Sequence, residues 1–343
     1  MVPDAPTSES TATPARSPLR WLRPVVGLAV FAGVAWYFRA LRPAVLWSVL
    51  RGASWPLVLV AAALSLVANT SARARRWGAL LPTSPLTAQP PRLWELVRAL
   101  LAGMAASNVL PFRAGEALRT MALRDRHAYP IKTLVAAQLL EKLVEVLTLA
   151  TVGALLASAP DPFRRLIFAF LALGAAAGAA IFAVIVVARS GLDQGPGNGR
   201  VHRVLREAAG AVRALHDPRA WLTSYGWGLA SDAVDVAMIG LCATAVSIHV
   251  GVGGWCAVLL AVNLATAVPS TPGQLGVHEA GAVLALASLS VDRDRALAFA
   301  LLYHAVHVAP ITLAGGVVIA LAEPRSTLAA APPDPTTRGR SPS

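Results

Sequence analysis

Charged side chains are scarce in this sequence. They make up 14% of its 343 residues, while hydrophobic residues make up 56%; soluble domains carry about 25% charge. That balance excludes a water-soluble globular domain, and with it a soluble catalytic one. Acidic residues are scarcer than basic ones, 18 against 30, for a formal charge of +12. An excess of that size can mark a nucleic-acid binder. Here the arginines sit at the edges of apolar runs rather than along a soluble face, the distribution of positive-inside membrane loops, so nucleic acid is not an expected partner. Only two cysteines occur, Cys242 and Cys256, each in or beside an apolar stretch. They form no disulfide framework and no metal-ligand spacing. The glycine-rich stretch 191–199 lacks the Gly-Lys-Ser/Thr ending of a phosphate loop and reads as a connector. No metal and no cofactor is expected.

What the chain has instead is a succession of long apolar runs. The first, 21–38, has no short signal peptide before it and reads as a retained membrane anchor. A second span, 55–69, is closed by Arg73, Arg75 and Arg76, and a proline-rich link through Pro82, Pro85, Pro90 and Pro91 follows. Further helices are expected over 134–157, 166–188, 221–248 and 296–322. Residues 201–216, with Arg203, Arg206 and Arg213 among apolar neighbours, suit a short helix on the membrane surface. The ends, 1–19 and 323–343, are rich in Pro, Ser and Thr and read as disordered tails, leaving 20–322 as one membrane domain.

Two polar breaks interrupt this pattern. In the later one, an apolar run over 255–268 leads into Pro269, Pro272, Gly273 and Gly276 and ends at His278-Glu279. In the earlier one, a run over 96–109 leads into Asn108-Val-Leu-Pro111-Phe-Arg113-Ala-Gly115-Glu116. Two prolines with two glycines cannot continue a regular helix. Unwound backbone at membrane depth survives only where protein buries it or water reaches it, and a glutamate there is costly. With Asn263 opening the later one, both breaks run Asn, Pro, Gly, Glu, and together they form the expected working site. The alternative is a pair of ordinary kinks at loop edges.

Charge sets the orientation. With cytoplasmic termini, and each broken segment returning to the side it came from, twenty of the 30 Lys and Arg fall in cytoplasmic stretches and seven in outer loops. The Pro111 break then penetrates from the cytoplasm and the Pro272 break from outside. Two broken segments in corresponding halves, penetrating from opposite sides as in an inverted repeat, point to a transport site near the midplane. The expected fold is therefore an all-α, polytopic helical membrane protein of the cell membrane with two re-entrant segments.

Several polar residues carry candidate chemistry. Arg113 and Arg119 flank Glu116; a guanidinium fork and a half-helix N-terminus both suit phosphate, although anchoring charges with Glu116 as partner would look the same. Glu141 and Glu145 lie four apart in an apolar helix and are expected to point into the bundle, with Lys142 snorkelling. Asp232 and Asp235 lie three apart and could face one cavity; without further carboxylates they do not make an oxygen cage. His304 and His307, beside Tyr303, read as hydrogen-bonded structural histidines. Ser270 and Thr271 read as helix caps. Glu279 has no cation near it in sequence, so its partner must come from another helix, or it is protonated or wet.

Asn108…Pro111-x-Arg113-x-Gly115-Glu116-x-x-Arg119, Glu141-Lys142-x-x-Glu145 and Pro272-Gly273-x-x-Gly276-x-x-Glu279 together resemble the lysylphosphatidylglycerol synthase transmembrane region, a flippase-like membrane family. That family typically carries Glu-Arg-x-x-Asp where this chain has Glu141-Lys142-Leu-Val-Glu145, a charge-conserving departure. The likeness covers most of 20–322. It implies membrane translocation, and, with only 323–343 after the last run, no lysine transfer. The expected function is movement of an anionic phospholipid or a lipid-linked, phosphate-bearing intermediate between leaflets. In that reading Arg113 and Arg119 catch the headgroup, and Glu116, Glu141 and Glu279 tune the cavity or carry protons. The partners are membrane lipids, a phospholipid or a lipid-linked sugar. The rival is a glycosyl- or phosphotransferase acting on a polyprenyl phosphate, which needs a nucleotide-sugar site or a carboxylate-metal cluster; neither is visible in the sequence.

Overall fold

The computed structural model describes residues 47–48, 51–110, 114–156, 164–189, 218–267 and 272–321. The expected anchor over 21–38, the surface helix over 201–216, the tails, and Pro111, Arg113, Ser270 and Thr271 lie outside these residues. Among the described residues every regular element is helical, as expected of an all-α polytopic membrane protein.

Helix α1 runs over Trp55–Ala79. Two shorter helices, α2 (Leu93–Val109) and α3 (Ala114–His127), follow, then the long α4 (Ile131–Leu155) and α5 (Arg164–Arg189). After the undescribed stretch come α6 (Pro218–Ala245), α7 (Val252–Ala267), a 3-10 turn at Pro272–Gln274, α8 (Val277–Ser288) and α9 (Arg293–Ala320). Helices α1, α6 and α9 are long and apolar enough to cross a membrane. At 1.5 Å per residue, 25 residues cover about 37 Å, more than the ~30 Å hydrocarbon core. Helix α4 has 25 residues but carries Glu141, Lys142 and Glu145. Leu59, Val67, Leu139, Leu155, Leu222 and Leu284 are exposed on the outside of the bundle, where a lipid-facing surface needs no polar cover.

Helix α1 corrects one sequence-based expectation. The span expected to close at residue 69 continues unbroken for another ten residues, so Arg73, Arg75 and Arg76 are helical and not loop residues. The helix can continue because two of these arginines find carboxylates on neighbouring helices, Arg73 at Asp235 and Arg76 at Glu141 and Glu145.

The path of the chain places the two broken segments. Helix α2 packs along α3, and α7 along α8, so each pair is a helical hairpin. In hairpin one (α2–α3) the backbones nearly touch: a Cβ on Gly115 would lie 1.7 Å from the Gly103 carbonyl oxygen. In hairpin two (α7–α8), a Cβ on Gly281 would lie 2.9 Å from the Ala261 carbonyl oxygen. Only small residues permit such approaches between membrane helices. The Ser54 N–H donates to Ala245 O at 3.1 Å, which puts the start of α1 beside the end of α6. Hairpin one therefore opens toward the end of the bundle where α1 finishes and α4 begins, and hairpin two toward the opposite end. Span, hairpin, span occurs twice, in opposite senses (α1, α2–α3, α4, then α6, α7–α8, α9).

Two apolar clusters match this division. One gathers Trp77, Leu80, Leu96, Leu123, Tyr129 and Leu134 around hairpin one. The other gathers residues of α6 to α9 with the first part of α1, the end of α4 and the start of α5. Tyr129, in the link from hairpin one to α4, donates to Pro82 O at 2.5 Å; burial pushes its phenol up to about 12.

The opposed hairpins give a labelling test of orientation. In a chain carrying Cys242→Ala and Cys256→Ala, Asp125→Cys should be shielded from an impermeant thiol reagent in intact cells and Arg293→Cys labelled. Both native side chains are exposed and lie at opposite ends of the bundle. Labelling of Asp125→Cys from outside would reverse the charge-based orientation.

Candidate functional site

The two breaks meet. Helix α2 ends at Leu110, whose backbone is extended (φ −91°, ψ 141°), and α3 resumes at Ala114. In hairpin two the chain turns through Gly273 (φ 65°), Gln274 (φ 59°) and Gly276 (φ 88°). Left-handed backbone of this kind favours glycine, which accounts for Gly273 and Gly276. A Cβ on Gly273 would also sit 3.2 Å from the Asn108 carbonyl oxygen. Helix α9 holds both tips: Asn108 Nδ2 donates to Thr312 Oγ1 at 2.8 Å, and His304 Nε2 lies 2.9 Å from Gly273 O.

Glu279 finds its partners here. Its Oε2 accepts the Gly276 N–H at 2.7 Å, and its Oε1 lies 2.6 Å from His304 Nδ1. His278 stacks on His304, with ring centroids 4.2 Å apart, and Tyr303 lies against both His278 and His307. His304, expected to be structural, is the non-local partner that Glu279 required.

A second cluster lies beside hairpin one. Glu141 sits between two guanidiniums, with Arg119 Nη2 at 2.8 Å from Oε2 and Arg76 Nη2 at 3.1 Å from Oε1. Arg76 Nη2 also reaches Glu145 Oε2 at 2.9 Å. Glu141 and Glu145 thus point inward together, as their spacing implies. Lys142 is exposed and pairs with Glu145 at 3.2 Å. Arg119 lies over the Trp77 ring, 4.3 Å from its centroid, a contact that suits a desolvated guanidinium. Buried Gly103 and Gly115 let α3 sit close enough for Arg119 to reach inward. Glu116 is exposed, and its backbone oxygen accepts from Thr120 and Gln138. Among the described residues, Arg73 Nε, Arg76 Nε and Arg119 Nε are buried donors without a hydrogen-bond partner.

Helix α1 joins the two clusters. Its stretch Leu64–Asn69 is π-helical, a form that recurs at functional sites. Asn69 Nδ2 donates to Asp235, and Ser231 Oγ donates to Asn69 Oδ1 at 3.2 Å. Arg73 Nη2 lies 3.6 Å and His307 Nδ1 4.0 Å from Asp235. Asp232 and Asp235 are both buried, and among the described residues Asp232 Oδ2 has no hydrogen-bond partner. A string of polar side chains therefore runs from Glu279 and His304 past Tyr303, His307, Asp235 and Arg73 to Arg76, Glu141 and Arg119.

A family model for the lysylphosphatidylglycerol synthase TM region matches residues 25–315. The chain belongs to that family. A comparison with curated proteins gives no match. The matched stretch takes in both hairpins and every helix that lines the polar string.

Within this membrane domain, the residues singled out from sequence fall into two places. Asn108, Gly273, Gly276 and Glu279 come together where the tips meet, at the turn that Pro272 begins. Arg119, Glu141 and Glu145 form the second cluster, and Gly115 closes hairpin one. Pro111 and Arg113 lie outside the described residues. Sequence reasoning missed Asn69, Arg73, Arg76 and Trp77. Asn69, Arg73 and Arg76 fall four and then three apart on one helix face, a spacing that would have exposed them had the helix been carried past residue 69.

Proposed function

We propose that this membrane domain moves an anionic lipid, an anionic phospholipid or a lipid-linked phosphate-bearing intermediate, between the two leaflets. The observation that carries the reading is the meeting of two opposed helical hairpins at Asn108 and Gly273. Discontinuous helices of opposite sense that meet inside a bundle are the architecture in which a site can face each side in turn. The anion preference rests on the buried guanidiniums. Among the described residues Arg73, Arg76 and Arg119 each retain an Nε–H without an acceptor, and phosphate oxygens are acceptors matched to that geometry. Glu141 and Glu145 neutralise the guanidiniums while the site is empty and compete with a headgroup for them, so binding need not be tight enough to trap the lipid.

The test is flux of a headgroup-labelled anionic phospholipid in proteoliposomes of the purified protein. Arg119→Lys keeps the charge but loses the planar fork of donors. Flux should fall about ten- to a hundredfold, the span of a charged hydrogen bond worth ~1.5–3 kcal/mol. Unchanged flux in this variant would return Arg119 to an anchoring role. Absence of flux, together with product formed from a polyprenyl phosphate and a nucleotide sugar in detergent micelles, would replace translocation with transfer.

A further inference from the structure

The contacts of His304 require a proton count. Its Nε2 faces the Gly273 carbonyl oxygen at 2.9 Å, and its Nδ1 faces Glu279 Oε1 at 2.6 Å. A carbonyl oxygen only accepts, so Nε2 must carry a hydrogen. The 2.6 Å contact needs a second hydrogen, on Nδ1 or on the carboxyl group. The two contacts are hydrogen bonds together only when the pair holds one proton more than a neutral imidazole and a carboxylate. Glu279 Oε2 is meanwhile occupied by the Gly276 N–H.

We propose that Glu279 and His304 form one proton-binding site that latches the tip of hairpin two, and that loss of the proton frees Gly273 from α9. After deprotonation, one of the two contacts sets acceptor against acceptor. The bond from Nδ1–H to a carboxylate is charge-assisted and is about twice as strong as one to a neutral carbonyl. The remaining hydrogen therefore goes to Nδ1, and Nε2 turns its lone pair on Gly273 O. The contact that breaks is the one that pins the left-handed turn, and the same turn abuts the Asn108 carbonyl at the tip of hairpin one.

The groups facing the pair set its surroundings. On α8 these are His278, stacked on His304, and Glu279 itself. On α9 they are Tyr303 and His307. Helix α6 contributes Asp235 next to His307, α1 contributes Arg73 next to Asp235, and α2 presents the uncharged Asn108. None of these replaces the Glu279–His304 hydrogen. The role of the released tip in lipid movement rests on the function proposed above; the latch itself does not.

The test uses the full chain in lipid vesicles, with Cys242→Ala and Cys256→Ala and a nitroxide on Gln274→Cys, an exposed tip position. Its mobility is read by electron paramagnetic resonance from about pH 5 to about pH 9, the range that brackets histidine titration. The mobile-to-immobile ratio should climb about tenfold per pH unit through one transition, as a one-proton equilibrium requires. Glu279→Gln should hold the tip immobile throughout, because its amide donates to Nδ1 and accepts from Gly276 with the imidazole neutral. His304→Ala, which removes the donor to Gly273 O, should leave it mobile throughout. A tip whose mobility ignores pH in the Glu279 protein, or that still responds in Glu279→Gln, overturns the latch. Lipid flux in the same vesicles separates the two proposals: a pH-responsive tip without flux overturns translocation alone, and flux with an unresponsive tip overturns the latch alone.

Discussion

Glu141→Ala should lower the stability of the folded protein by about 3–5 kcal/mol, the range for removing one partner of a buried ion pair. Glu141 is 3% exposed and accepts from Arg76 and Arg119 at once. An arginine cannot shed its charge, so the deletion leaves two guanidiniums facing each other in a medium of low dielectric. Arg76 keeps Glu145; among the described residues Arg119 keeps the face of Trp77. Urea-free thermal unfolding in detergent micelles, followed by tryptophan fluorescence, would report the change. Removing both partners should be milder. Arg119→Leu combined with Glu141→Leu replaces the bridge by apolar volume and leaves Arg76 paired with Glu145, and should recover most of the loss. A drop below about 1 kcal/mol for Glu141→Ala would place the bridge with exposed pairs and overturn its buried role.

Gly115→Ala should be as damaging through a different cause. The added methyl group would lie 1.7 Å from the Gly103 carbonyl oxygen and 2.4 Å from Ser107 Oγ. A serine hydroxyl can rotate aside, but a helix carbonyl cannot. Helix α3 would have to withdraw from α2, carrying Arg119 away from Glu141. Overpacking of this kind costs about 1–3 kcal/mol by itself, and the strained bridge adds to it. Gly178→Ala is the control: among the described residues nothing lies within 4 Å of its Cβ position, and a glycine in mid-helix is worth ~1 kcal/mol less than alanine. That change should be neutral or stabilising. Equal unfolding temperatures for the two variants would mean that hairpin one is looser than its backbone contacts require.

The parts of this protein legible in the sequence are those written locally. Proline and glycine within an apolar run mark a break wherever the chain goes next, so both hairpins could be located from residues 108–116 and 269–279. Glu141 and Glu145 declare a common face by spacing alone. Glu279 shows that an unpaired carboxylate needs a partner, but nothing near it in sequence names His304, 25 residues away on another helix. The error at α1 has the same origin. Arginines after an apolar run usually mark the water boundary, and Arg73 and Arg76 depart from the rule because carboxylates on α4 and α6 wait for them. Only the packing of three helices reveals that.

The π-helical stretch in α1 has a consequence for the phasing of that helix. One residue more than an α-helix would hold is accommodated between Leu64 and Asn69. Each residue turns the helix by 100°, so the extra residue sets the angular offset between the apolar half, which presents Val58 and Ala61 to the core, and the polar half, which presents Asn69, Arg73 and Arg76. Deleting one residue there would restore ordinary helix and rotate one half against the other by about 100°. Either the apolar residues would keep their seats and the arginines face lipid, or the reverse. Helix α1 behaves as a shaft keyed in two places, and its tolerance to insertion or deletion should be lowest at the joint between the keys, although no proline or glycine marks it.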